Sequence, residues 1–204
     1  AGSGGVAVRP GTEADARFAA ELHARSINEG FLPTLGPAFL ARLYRRIVRH
    51  AGSFLLVAVA HGDGRPVGFV AGTEDVGSLY REFARRDGVR AGLVAAPRLA
   101  RSWRHAWETL RYPSVGGELP GGGDLPPAEL LAMAVEPAAR GRGVGRQLVD
   151  AFLSELGRRD VGGARVVAAT ANRAAIGLYQ SAGFRPATRL ELHRGTTSEV
   201  LVWP

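Results

Sequence analysis

The stretch from Leu130 to Leu156 constrains this chain most. Leu130-Leu131-Ala132-Met133-Ala134-Val135 is a short apolar run, the length of a buried strand. Glu136-Pro137 ends it, because Pro137 has no N–H for a strand ladder. Arg140-Gly141-Arg142-Gly143-Val144-Gly145-Arg146 follows. Val144, Leu148, Ala151, Phe152 and Leu156 then recur at helical spacing, so a helix begins inside the loop. The first N–H groups of a helix lack internal partners, and the helix dipole places partial positive charge there. Gly141, Gly143 and Gly145 remove side chains that would hold a ligand off those amides. Arg140, Arg142 and Arg146 add formal charge. Such a turn suits an anion, and a pyrophosphate in particular.

The spacing narrows the ligand. A P-loop needs a lysine after its last glycine, and this chain has none. A dinucleotide fingerprint needs Gly-x-Gly-x-x-Gly, and Gly141 to Gly145 falls one residue short. Arg-x-x-Gly-x-Gly, from Arg140 to Gly145, does fit. A second segment, Ala168 to Phe184, reads strand, Asn172, short helix with Tyr179, then Gly183-Phe184. Asn172 suits a helix N-cap and Gly183 a left-handed C-terminus. In this order and at this separation, the two segments resemble the two signatures of the GNAT superfamily of acyl-CoA-dependent N-acyltransferases.

That resemblance implies an α/β fold with a mixed central sheet of about seven strands. The parallel fourth and fifth strands splay apart, and helices cover both faces. It implies acetyl-CoA as co-substrate. Backbone groups of Met133, Ala134 and Val135 are then expected to hold the pantetheine arm. Arg140, Gly141, Arg142, Gly143, Val144, Gly145 and Arg146 are expected to hold the pyrophosphate, and Asn172 to contact the CoA arm. Tyr179 is the expected general acid for the departing thiolate. Phe31, between the first two helices, is a candidate for the acceptor pocket. An attacking amine must first be neutral, so a general base is expected. Glu129 is the candidate, because strand alternation puts it on the face of Leu131 and Met133. Glu118, Glu74, Asp75 and His193 are weaker options.

The rest of the chain fits around this centre. Val6 to Arg9 reads as a first strand, and a helix stripe of Phe18, Leu22 and Ile27 follows Thr12. Phe39 to Val48 marks a second helix. Ser53–Ala60 and Pro66–Thr73 form a hairpin about His61-Gly62-Asp63-Gly64, with Val67, Phe69 and Ala71 on one face. An insert at about 74–127 then separates the third and fourth strands. It reads as two short helices, Leu79 to Arg86 and Pro97 to Arg111, and a Gly/Pro-rich loop. Trp103 and Trp107 share a stripe of the second. The insert is open to three readings: a helical lid that shapes the acceptor pocket, a homodimer contact, or a face that binds an anionic surface. Ala164 to Ala169, Phe184 to His193 and Ser198 to Trp203 supply the last strands. Residues 6–204 read as a single domain.

Composition bounds the function. With no cysteine there is no thiolate nucleophile and no disulfide. The five histidines show no ligand spacing, so no metal is expected. The net charge of +7 favours anionic ligands. The arginines are interspersed with Glu82, Asp87 and Glu108, and no nucleic-acid motif is visible, so nucleic acid is not the expected partner. No apolar run approaches a membrane span and no leader is apparent, so the expected location is cytoplasmic. The leading expectation is transfer of an acetyl group from acetyl-CoA to the primary amine of a small molecule, an amino sugar or amino-acid-like metabolite. A peptide or protein amine, and a non-catalytic acyl-CoA sensor, are the alternatives.

Overall fold

The computed structural model describes residues 5–27, 32–101, 125–193 and 196–204. Seven strands form one sheet: β1 (Val6–Pro10), β2 (Ser53–Ala60), β3 (Pro66–Thr73), β4 (Glu129–Val135), β5 (Ala164–Ala169), β6 (Arg185–His193) and β7 (Thr196–Trp203). Their spatial order is β1-β2-β3-β4-β5-β7-β6. β4 and β5 are parallel, and the other neighbours are antiparallel. The helices are α1 (Asp15–Ser26), α2 (Pro37–Arg49), α3 (Val76–Arg101), α4 (Val144–Arg158) and α5 (Arg173–Ser181).

The helices divide between the two faces, and β2 shows how. Phe54, Leu56 and Ala58 join a core with Leu148, Phe152 and Leu156 of α4. The alternate residues, Leu55 and Val57, join a second core with α1, α2 and α3. A central strand buried on both faces is apolar at nearly every position, which is why its sequence reads as a continuous run.

Two bulges correct the simple alternation. On β3, Gly68 pairs with Ala58 but Pro66 pairs with Val59, so Val67 is skipped. Val67 therefore joins the α4 core, while Phe69 and Ala71 join the other. On β4, Ala132 pairs with Ala71 but Leu130 pairs with Gly72, so Leu131 is skipped. An extra residue reverses the facing of everything beyond it. Leu130, Met133 and Val135 pack toward α4, whereas Leu131, Ala132 and Ala134 pack toward α1 and α2. Glu129 consequently lies on the face opposite Met133, not on the same one.

The insert differs as well. Its beginning is one helix, α3, through residues where Asp87-Gly88 and Pro97 suggested a break. Leu79, Phe83 and Ala91 are buried against α1 and α2, and this packing overrides weak local propensity. Trp103, Trp107 and the Gly/Pro-rich loop lie outside the described residues.

A buried polar pair ties α1 to α2. His23 Nδ1 lies 2.7 Å from the Tyr44 hydroxyl. Burial pushes His23 down to about 4 from 6.5. The folded chain thus keeps His23 neutral where the unfolded chain protonates it. Its stabilising contribution is complete above pH 6.5 and is lost as pH falls toward 4. Melting temperatures across that window are expected to fall in the parent chain by the equivalent of roughly 2–3 kcal/mol. A His23→Gln variant should show a flatter profile, and an equal slope would exclude His23 as the source.

Candidate functional site

β4 and β5 stay paired over only two positions, Glu129↔Arg165 and Leu130↔Val166. Beyond them the strands separate, while β4 continues to pair with β3 as far as Val135. The β5-facing edge of β4 thereby presents backbone donors and acceptors without a strand neighbour. A cleft of about 440 Å³ opens at this place. Met133, Ala134 and Val135 form one wall, and Arg140, Gly141, Gly143, Val144 and Gly145 form its end. Asn172, Ala174, Ala175 and Leu178 form the other wall, and Ser26 and Ile27 close it from α1.

The loop has the backbone an anion cradle needs. Gly141 and Gly143 have φ of 72° and 78°, a region that β-carbons disfavour. A Cβ at either would meet nothing within 4 Å, so the space before them is open. The first bond of α4 runs from Gln147 N to Gly143 O at 3.1 Å, which leaves the preceding amides free of helical partners. Gly145 serves packing too, because a Cβ there would lie 3.2 Å from Leu178 of α5. Arg140 Nε donates to Val135 O at 3.0 Å, which bends the loop back onto the end of β4.

Two expected arginines stand apart. Arg142 is exposed and does not line the cleft. Arg146 pairs with Asp150 at 2.8 Å and donates to Ser181 O at 3.2 Å, tying α4 to the end of α5. Asn172 both lines the cleft and caps α5, its Oδ1 accepting from Ala175 N at 3.2 Å. Residues 26, 27, 174, 175 and 178 were not expected in the wall. Only their position beside Asn172 or at the end of the first helix signals them.

Tyr179, next to Leu178 on α5, is buried and is not among the residues that line the cleft; its ring centroid is 5.7 Å from that of Phe184. No hydrogen bond to its hydroxyl occurs among the described residues. Burial raises its pKa further above the ordinary tyrosine value, so it remains a proton donor at neutral pH.

Glu129 sits at the fork of the two strands, with Arg165 Nε 2.8 Å from its Oε2. Burial raises the Glu129 pKa, and the Arg165 hydrogen bond and charge pull it back. The other carboxylates considered for base catalysis have structural partners. Glu74 pairs with Arg159 at 2.8 Å, and Asp75 accepts from Ser78 N at 2.7 Å. Phe31, Glu118 and the side chain of His193 lie outside the described residues. Among the described residues no group of three or more His, Asp or Glu could hold a metal, and no helix is long and apolar enough to cross a membrane.

The model of the Acetyltransferase (GNAT) family matches residues 20–184. The chain belongs to the GNAT family. The family is one of acetyltransferases. The family's splayed strands, Gly/Arg turn and Asn-capped helix are the elements that bound the cleft described above. A segment of 62 residues, 30% of the chain, is 40% identical to mycothiol acetyltransferase from Nocardia farcinica (strain IFM 10152). That match spans 20% of the relative's length. A GCN5-related N-acetyltransferase from Kribbella flavida shares the fold with a TM-score of 0.63 and 20% identity, covering 98% of this chain and 97% of that one. Arabidopsis thaliana NAA60 in complex with acetyl-CoA gives a TM-score of 0.61 and 18% identity, covering 98% of each chain.

Proposed function

We propose that this GNAT enzyme acetylates the primary amine of a small molecule by direct attack on acetyl-CoA. The observation that carries this reading is the enclosure of Glu129. Its side chain is 18% exposed, at the strand fork, and near enough to the half-buried Tyr80 of α3 to oppose that hydroxyl's ionisation. Glu129 is not among the residues that line the cleft, and a carboxylate so enclosed suits a slender amine better than a folded protein surface. The local likeness to mycothiol acetyltransferase, an enzyme whose name carries a small molecule, supports the same class.

The roles follow from chemistry. Acetyl-CoA supplies an acyl carbon activated by its thioester. The open cradle of Gly141 and Gly143, with the first amides of α4 and Arg140, accepts the pyrophosphate. The edge of β4 at Met133 to Val135 holds the pantetheine arm, and one of its amides stabilises the oxyanion. Glu129 takes the proton of the amine, directly or through water. Tyr179 gives its proton to the departing thiolate.

A panel of amines assayed with acetyl-CoA tests this. Acetylation of amino sugars or amino-acid-like amines in preference to peptide N-termini is the expected result. Turnover on peptides alone would replace the acceptor class, and acetyl-CoA binding without turnover on any amine would favour a sensor.

A further inference from the structure

Glu129 and Arg165 face each other in direct register, on the rung before the last that β4 and β5 share. The side chains are 18% and 12% exposed, and the 2.8 Å contact is charge-assisted. Arg165 has no second carboxylate among the described residues, so its pairing is committed to Glu129. Among the described residues the groups around the carboxylate are otherwise uncharged. From β3 the registered partner is Thr73. From α3 the neighbour is the half-buried Tyr80, a neutral phenol whose ionisation burial and Glu129 both disfavour. Beyond Tyr80 stand Tyr44 of α2 and, bonded to it, His23 of α1, which is neutral above about pH 4. A carboxylate enclosed by neutral groups would take up a proton, because burial disfavours its charge. One cation is placed to prevent that.

We propose that Arg165 is a positioning residue for the acetyl transfer, keeping Glu129 ionised and aimed from the strand fork so that it accepts the amine proton at neutral pH. This rests on the reading of Glu129 as the base. It also gives the first of the two shared rungs a function. The rung that helps hold the fork closed also sets the charge state of the group working beside it.

The test is the pH profile of kcat/KM for Arg165→Met and Arg165→Lys beside the parent and Glu129→Gln. Loss of the cation should move the acid limb up by about one pH unit or more in Arg165→Met, a roughly tenfold loss at a pH on that limb, with the plateau regained at high pH. Arg165→Lys, which keeps the charge but not the fork geometry, should shift it less. Arg165→Met in the Glu129→Gln background should then cost little more. An activity loss equal at every pH, with the limb unmoved, would assign Arg165 a purely structural role and overturn the proposal. If Arg165→Met does not fold, Arg165→Gln takes its place: an unmoved limb in that folded, neutral variant rejects the idea. Glu129→Gln separates the two readings. Full activity in it removes Glu129 as the base, whereas its inactivity together with unmoved limbs in the Arg165 variants rejects only the positioning role.

Discussion

Replacing Gly143 with glutamate is expected to weaken acetyl-CoA binding more than 100-fold, roughly 3 kcal/mol, while leaving the chain folded. Two effects combine. Gly143 has φ of 78°, and a residue with a β-carbon there costs roughly 1–2 kcal/mol of backbone strain. That strain alone is tolerable, because the Cβ meets nothing within 4 Å. The larger effect comes from that same open space. The new carboxylate projects into the cradle where the pyrophosphate is to sit, and like charges at close range repel strongly in a partly enclosed site. Calorimetric titration of acetyl-CoA into the variant, with a melting curve as the folding control, checks this. Micromolar binding retained in Gly143→Glu would place the pyrophosphate elsewhere.

Removing the Tyr179 hydroxyl has the second large effect, and it falls on a different quantity. Tyr179→Phe keeps the ring against Phe184, whose centroid is 5.7 Å away, so the core is undisturbed. The hydroxyl has no hydrogen-bond partner among the described residues, so little stability depends on it. A general acid contributes roughly 10²–10⁴-fold, and kcat should fall within that range. KM for acetyl-CoA should change by less than about threefold, because the lost interaction serves the transition state and not the ground state. Steady-state kinetics on the best amine of the panel reads both. An unchanged kcat would mean that the thiolate departs without this proton, or that release of product limits turnover.

These expectations rest on residues of unequal legibility. Ser53–Ala60, Pro66–Thr73 and Ala164–Ala169 stand where the apolar runs and turn signals put them. The Gly/Arg turn and the Asn172 cap were readable because their chemistry is local: a helix start needs free amides, and a cap needs a short polar side chain. The two bulges were not readable. Val67 and Leu131 sit in strands covered on both faces, and a strand apolar at every position carries no period to betray a skipped residue. Glu129 therefore shares its face with Leu131 but not with Met133. The Arg165 pairing was hidden for another reason. It joins residues 36 apart, and only the strand register brings them together. Arg146 shows the converse: a basic residue in an anion-binding motif that the fold spends on Asp150 and the end of α5.

The central claim is that the fork between β4 and β5 is an acetyl-CoA site. The most direct measurement is a calorimetric titration of acetyl-CoA into the parent chain. The account expects micromolar binding of one molecule per chain, competed by CoA. Absence of heat and of competition with a folded chain would contradict it.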